Sequence, residues 1–231
     1  MSSTGVCVIT VCWNALAALR TTVDSVRANK KPGGRYIVID GGSTDSSVEY
    51  LRSNADIVDQ WVSEPDGGIY DAMNKGISLC DDLSWVIFMN AGDTFHHPGV
   101  LDDLEGLLSP DRDVVMGGVA LCEGERERLL LPQPLIRSKM PACHQGIFVR
   151  GSLLKRYRFD TALRVGADFE QYLRISAEID ADRIAFAPFA VARVAPEGFS
   201  ARNERVLQRD YFAAIARHRG RPGAWRLLLE R

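Results

Sequence analysis

Two apolar runs end on side-chain oxygens. Tyr36-Ile37-Val38-Ile39 stops on Asp40 and continues as Gly41-Gly42-Ser43-Thr44-Asp45, and Trp85-Val86-Ile87-Phe88-Met89 stops on Asn90-Ala91-Gly92-Asp93. A carboxylate at a strand end can accept hydrogen bonds from the imide or amine of a base or from a ribose hydroxyl, and Gly41 and Gly42 let a ligand approach the backbone. The same stretch also reads as a turn in which Ser43, Thr44 or Asp45 caps a helix. Asp45 suits the cap and Asp40 the ligand contact. Asp93 can offer one carboxylate to a divalent cation, Mg2+ or Mn2+, whose other ligands are water and phosphate oxygens. Alone, Asn-x-Gly-Asp is a common turn; its repetition of the Asp40 placement argues for a site.

Three further groups carry polar chemistry. Asp168 opens a helical pattern at Gly166-Ala167-Asp168-Phe169-Glu170, where it either complements the dipole of the first turn or faces a crevice as a general base. His144-Gln145 precedes a strand and offers two hydrogen-bonding side chains suited to a hydroxyl-rich acceptor, or a satisfied core histidine. His96-His97 are adjacent rather than four apart, so they do not form a two-histidine metal grip on one helix face.

The elements that must position these residues alternate. Residues 6–11 read as a buried strand, and Leu16, Leu19, Val23 and Val26 as the helix that covers it. Strand 36–39, a short helix over 46–53 and strand 57–62 follow. Ile69, Met73, Ile77 and Cys80 then mark one helix face before strand 85–89. Such alternation predicts a parallel sheet with helices on both sides, and in open sheets of this kind ligands bind at the carboxyl edge of the strands. Beyond residue 111 the pattern becomes mixed, with strands at 114–121, 127–131, 146–149 and 184–194 and a helix over 167–177.

The 231 residues, 46% hydrophobic and 25% charged, suit one soluble domain. No run approaches the roughly 18 apolar residues of a membrane span and no leader pattern opens the chain, so a cytoplasmic protein is expected. Five cysteines without a Cys-x-x-Cys pair read as reduced core thiols. Residues 201–231 hold eight arginines against three acids. With Leu207, Tyr211, Ala214 and Ile215 as an apolar stripe, this tail reads either as a helix packed on the domain or as a peripheral contact with an anionic membrane surface. Nothing in the pattern points to nucleic acid.

Five pieces stand in order: Thr10-Val11-Cys12-Trp13-Asn14, Asp40 to Asp45, Gly67-Gly68-Ile69-Tyr70-Asp71-Ala72-Met73-Asn74-Lys75-Gly76-Ile77, Asn90 to Asp93, and Gly166-Ala167-Asp168. Their order and spacing resemble family 2 glycosyltransferases with a GT-A fold, over about residues 5–200. The resemblance implies an α/β single domain, Rossmann-like, with a mostly parallel sheet and a mixed second half. A nucleotide-binding half would span about 1–110, an acceptor half about 111–200, and a basic helical tail 201–231. It implies that Thr10, Asn14, Asp40, Asp71, Asn74, Lys75 and Asn90 serve the donor, that Asp93 engages metal and diphosphate, and that Asp168 is the catalytic base. Pro196-Glu197-Gly198-Phe199-Ser200 falls where many members carry a mobile loop near the diphosphate. Departures exist: Asn90-Ala91-Gly92-Asp93 replaces Asp-x-Asp-Asp, Met73 replaces a common arginine, and Ala167-Asp168 replaces Glu-Asp.

The implied reaction moves a sugar from a nucleotide-diphosphate donor, with UDP favoured, to a hydroxyl of a glycan or lipid-linked glycan, with inversion. A non-catalytic nucleotide-sugar or glycan binder of the same fold is the alternative raised by the reduced acidic motif. A sugar-phosphate nucleotidyltransferase would need an early glycine-rich basic loop where Trp13-Asn14-Ala15-Leu16 stands. A dinucleotide oxidoreductase would need Gly-x-Gly-x-x-Gly after the first strand.

Overall fold

The computed structural model describes residues 5–124, 126–133, 140–195 and 203–219. The first half runs β1 (Val6–Cys12), α1 (Leu16–Arg27), β2 (Arg35–Asp40), α2 (Ser47–Ser53), β3 (Gln60–Ser63), α3 (Ile69–Leu79), β4 (Trp85–Phe88), β5 (Thr94–Phe95) and α4 (Val100–Asp103). The second half runs β6 (Val114–Glu123), β7 (Arg126–Leu130), β8 (Ile147–Arg150), α5 (Gly151–Arg156), α6 (Ala167–Glu178), β9 (Ile184–Val194) and α7 (Glu204–Arg219).

One sheet joins the two halves in the order β3-β2-β1-β4-β8-β6-β9-β5, with β7 paired to β6. β3, β2, β1 and β4 are parallel. β8 then joins β4 antiparallel, and the second half mixes directions, as its pattern predicts. Strand order reverses at β1, which lies between β2 and β4, and the carboxyl ends of strands at such a reversal are where open sheets bind ligands.

Alternation within the strands assigns the two cores. Tyr36, Val38, Trp85 and Ile87 point to one face, where Leu19, Val23 and Val26 of α1 cover them. Ile37, Ile39, Val86 and Phe88 point to the other, under Met73 and Ile77 of α3. Burial on both faces is why these strands are nearly unbroken apolar runs. β3 begins at Gln60 rather than 57, because Ile57 and Val58 turn into the core within the hydrogen-bonded turn that closes α2. An apolar pair in a turn and an apolar pair in a strand look alike in sequence.

The described part of the basic tail is α7, and it packs on α6. Ala214 and Ile215 are buried against Phe169 and Leu173, and the Tyr211 ring lies 4.2 Å from that of Phe169. Burying a large apolar side chain contributes about 1.5–3 kcal/mol, so Ala214 and Ile215 of the stripe stabilise the fold. Residues 196–200 and the terminal segment with Trp225 and Leu227 to Leu229 lie outside the described residues. Among the described residues no helix is long and apolar enough to cross a membrane. All five cysteines are free thiols.

Candidate active site

Asp93 sits on the loop that continues β4. The Met89 and Ala91 amides still follow β1, donating to the carbonyls of Ile9 (2.9 Å) and Val11 (3.1 Å), and the chain then turns at Gly92, whose φ of 100° is the left-handed region that glycine tolerates. Thr22 of α1 fixes the turn: its buried hydroxyl donates to the Asp93 carbonyl at 2.7 Å and accepts the Gly92 amide at 2.9 Å. The Asp93 side chain is held from across the sheet by Gln145, whose Nε2 donates to Oδ2 at 3.1 Å. With 8% of Asp93 exposed, burial raises its pKa, opposed by the Gln145 hydrogen bond and by His144 nearby.

His144 and Gln145 share the short turn that leads into β8, so the two side chains reach different partners from one point of the sheet. His144 Nε2 lies 3.2 Å from Asn90 Nδ2, and its Nδ1 lies 3.7 Å from Asp168 Oδ2. These contacts bridge the loop after β4 to the first turn of α6. Asn90 Oδ1 is buried with no partner among the described residues. Asp168, with a side chain 17% exposed, accepts its own helix's Phe169 amide at 2.8 Å. Its Oδ1 also lies 3.5 Å from the Tyr70 hydroxyl, which donates to the Val165 carbonyl. A cavity of about 40 Å³ beside Asp168 is lined by Phe88, Ile147, Phe159 and Tyr172, so the carboxylate borders apolar groups. Glu170, the other acid of this turn, is buried and paired with Arg174 and His218.

The turn after β2 departs from expectation. Asp40 is fully buried. Oδ2 accepts the Ser43 amide at 2.9 Å and the Ser63 hydroxyl at 2.6 Å, while Oδ1 takes the Ser43 hydroxyl and, at 3.5 Å, the Cys12 thiol. In this arrangement all four of these hydrogen bonds organise the loop. Thr10 is likewise a core residue, donating to the Met89 carbonyl at 2.7 Å, because its strand position faces the interior. Asn74 uses both ends of its amide on the Phe159 backbone, at 2.9 and 3.0 Å, and so clamps α3 to the turn before α6. Asp71 and Lys75 fasten the 64–68 turn to α3, through the Gly67 amide at 2.9 Å and Glu64 at 2.8 Å. Asn14 is exposed just after β1, with φ of 47°, and its Oδ1 accepts the Thr44 amide at 2.8 Å. Asp45 caps, taking the amides of Leu16 and Ser47 at 3.0 Å each.

Residue-by-residue reading missed several members of this edge. Trp13, 69% exposed, flanks Gly41. A side chain on Gly41 would lie 2.7 Å from Asp66 Oδ2, so glycine is what admits that carboxylate to the edge. Asp66 Oδ1 is held by the Gly68 amide at 2.8 Å. A lone tryptophan straight after a buried strand was the only available signal.

One short turn, His144-Gln145, thus reaches both the carboxylate after β4 and the carboxylate on α6. The family model for glycosyl transferase family 2 matches residues 7–164. The chain is 38% identical over 183 residues to the uncharacterized glycosyltransferase Rv1514c of Mycobacterium tuberculosis, covering 75% of this chain and 69% of that one. It is 26% identical over 175 residues to the PGL/p-HBAD biosynthesis glycosyltransferase Rv2957 of the same species, covering 70% and 65%. Its fold matches glucosyl-3-phosphoglycerate synthase from M. tuberculosis, solved with Mn2+, UDP and glucosyl-3-phosphoglycerate, at a TM-score of 0.67 and 17% identity over 94% of this chain and 81% of that one. The chain belongs to glycosyl transferase family 2 and has the GT-A architecture of a nucleotide-sugar-dependent glycosyltransferase.

Proposed function

We propose that the protein transfers a sugar with inversion from a nucleoside diphosphate donor, UDP foremost, to a hydroxyl of a glycan or lipid-linked glycan, with Asp168 as general base. The observation that carries this reading is the bridge through His144 and Gln145, which holds Asp168 and Asp93 on one crevice from opposite halves of the fold. Asp168 takes the acceptor's proton as that oxygen attacks the anomeric carbon, and the bond from that carbon to the diphosphate breaks on the opposite side. A single in-line displacement inverts the centre. The neighbouring Tyr70 hydroxyl and Phe169 amide restrict the carboxylate's rotation, and the apolar wall below it keeps water from competing on that side.

Asp93 and Asn90 Oδ1, the latter without a partner among the described residues, are hard oxygen donors of the kind that hold Mg2+ or Mn2+ with help from phosphates. Among the described residues no group of three His, Cys, Asp or Glu could hold a metal ion. When bound, such a cation supplies charge neutralisation for the departing diphosphate. At the other end of the crevice, Trp13 offers an aromatic face for a base. Asp66 Oδ2, admitted by Gly41, offers an acceptor for a ring N–H of the kind that uracil carries.

A panel of UDP-, GDP- and dTDP-sugars, read by thermal shift with and without Mn2+ and by nucleotide release, tests the reading. At least one donor should stabilise the protein, since ligand binding to the native state raises stability. Asp168→Asn should cut turnover about 10²–10⁴-fold while leaving that stabilisation in place. An Asp168→Asn enzyme with most of its activity intact would refute the assignment, and donor binding without turnover by the wild type would leave a binder.

A further inference from the structure

α7 touches the residues around Asp168 without lining the crevice. Asp210, 2% exposed, points its Oδ2 at two consecutive backbone amides, Arg164 at 3.0 Å and Val165 at 3.1 Å. Those amides belong to the turn that enters α6, where no helix or sheet partner is available, and buried N–H groups must be matched. A buried carboxylate is equally costly without donors, so each satisfies the other. Its Oδ1 is met at 3.2 Å by Arg209, the preceding residue of α7.

Val165 is thereby held at both ends of its backbone: its amide by Asp210, its carbonyl by the Tyr70 hydroxyl that also stands 3.5 Å from Asp168. Gly166 comes next, and a Cβ there would lie 3.0 Å from Asp210 Cβ and 3.0 Å from the Tyr211 ring, so backbone and α7 are in direct contact. Beyond Asp168, Phe169 stacks on Tyr211, and buried Glu170 meets His218 of α7 at 2.9 Å.

We infer that Asp210 is a positioning residue for the transfer reaction, its carboxylate setting the turn that aims Asp168 at the acceptor. The inference rests on the reading of Asp168 as the base. A displacement of about 1 Å in a reacting group can cost 10²-fold in rate, and the two amide bonds are what keep the turn from moving by that much. A simple packing role makes a different claim: loss of Asp210 would lower stability and leave turnover per folded molecule unchanged.

The test uses the full chain with UDP-glucose and Mn2+, following UDP release, UDP affinity and amide hydrogen exchange. Should UDP-glucose give no turnover, the other sugars of the panel take its place. Asp210→Ala should speed exchange at Arg164 and Val165 and lower kcat about 10–100-fold, with UDP affinity within about twofold because the base turn does not hold the nucleotide. Asp210→Asn, whose amide oxygen can still accept both N–H groups, should recover most of the lost kcat. If the alanine variant does not fold, Gly166→Ala, which presses on Asp210 and Tyr211, should show the same loss in kcat at unchanged UDP affinity. Faster exchange at the two amides with undiminished kcat would overturn the inference, and so would an asparagine variant as slow as the alanine one. A wild type inactive with every donor would instead overturn the reading of Asp168, and this inference with it.

Discussion

Replacing Asp40 with alanine separates two roles that one carboxylate could play. If it contacted the donor, the ligand-free protein would lose nothing. The structure instead gives it three strong donors, the Ser43 amide, the Ser43 hydroxyl and the Ser63 hydroxyl, and places it fully out of solvent. Hydrogen bonds to a charged group contribute about 1.5–3 kcal/mol each, and burying the carboxylate takes back several kcal/mol, so the net loss should be about 2–4 kcal/mol. At roughly 2–4 °C per kcal/mol for a chain of this size, Tm should fall by about 5–15 °C without any ligand present. Burial works against the charged form of Asp40, yet the hydrogen bonds from Ser43 and Ser63 outweigh it and hold the pKa below the ordinary value. A group whose folded pKa is lowered contributes its stability above the unfolded pKa, about 3.9 for aspartate, and loses it as pH falls through the folded value. The gap between wild type and Asp40→Ala, read by urea unfolding, should therefore be constant from about pH 5 to 8 and narrow below about pH 4. An alanine variant as stable as the wild type at pH 7, but weak in UDP binding, would return Asp40 to the ligand and refute this account.

Trp13→Ala should weaken UDP binding by about 5–150-fold, since stacking of a base on an aromatic ring contributes about 1–3 kcal/mol; unchanged affinity by calorimetry would remove Trp13 from the site. Thr22→Val keeps the side chain's shape and deletes the hydroxyl that joins the Gly92 amide to the Asp93 carbonyl. It should cost about 1–3 kcal/mol in urea unfolding and weaken Mn2+-dependent nucleotide binding, and wild-type behaviour in both would show that the turn stands without it. Burial, with Asp168 and Asp93 adding to it, pushes the Cys143 thiol up to about 11, so at pH 8 it should alkylate about 10²-fold more slowly than a free cysteine; labelling of native protein at the free-thiol rate would contradict this.

The alternation of strand and helix up to residue 108, the mixed second half and the helix over Asp168 were all legible in the sequence. Each depends on which face of an element is apolar, and that is written locally, at a period of two or of nearly four residues. The five ordered motifs also sufficed to indicate the family. What stayed illegible is how an individual polar side chain is used. Asp40 and Asp93 both follow a buried strand, yet the first is met by Ser43 and Ser63 from its own half of the fold, while the second is met by Gln145 from the other. Nothing local to Asn74 foretells that the Phe159 backbone occupies both ends of its amide.

From the chain alone came the elements, their order, the edge on which oxygens gather and the family that such an arrangement belongs to. Tertiary structure decided which of those oxygens are free. Asp93 with Gln145, His144 with Asp168, and Asp210 with Val165 are pairs distant in sequence. They meet only because β8 closes against β4 and α7 lies down on α6. A residue's type sets what bonds it can make, but desolvation and the arrival of remote partners select which it does make, and neither leaves a periodic trace along the chain.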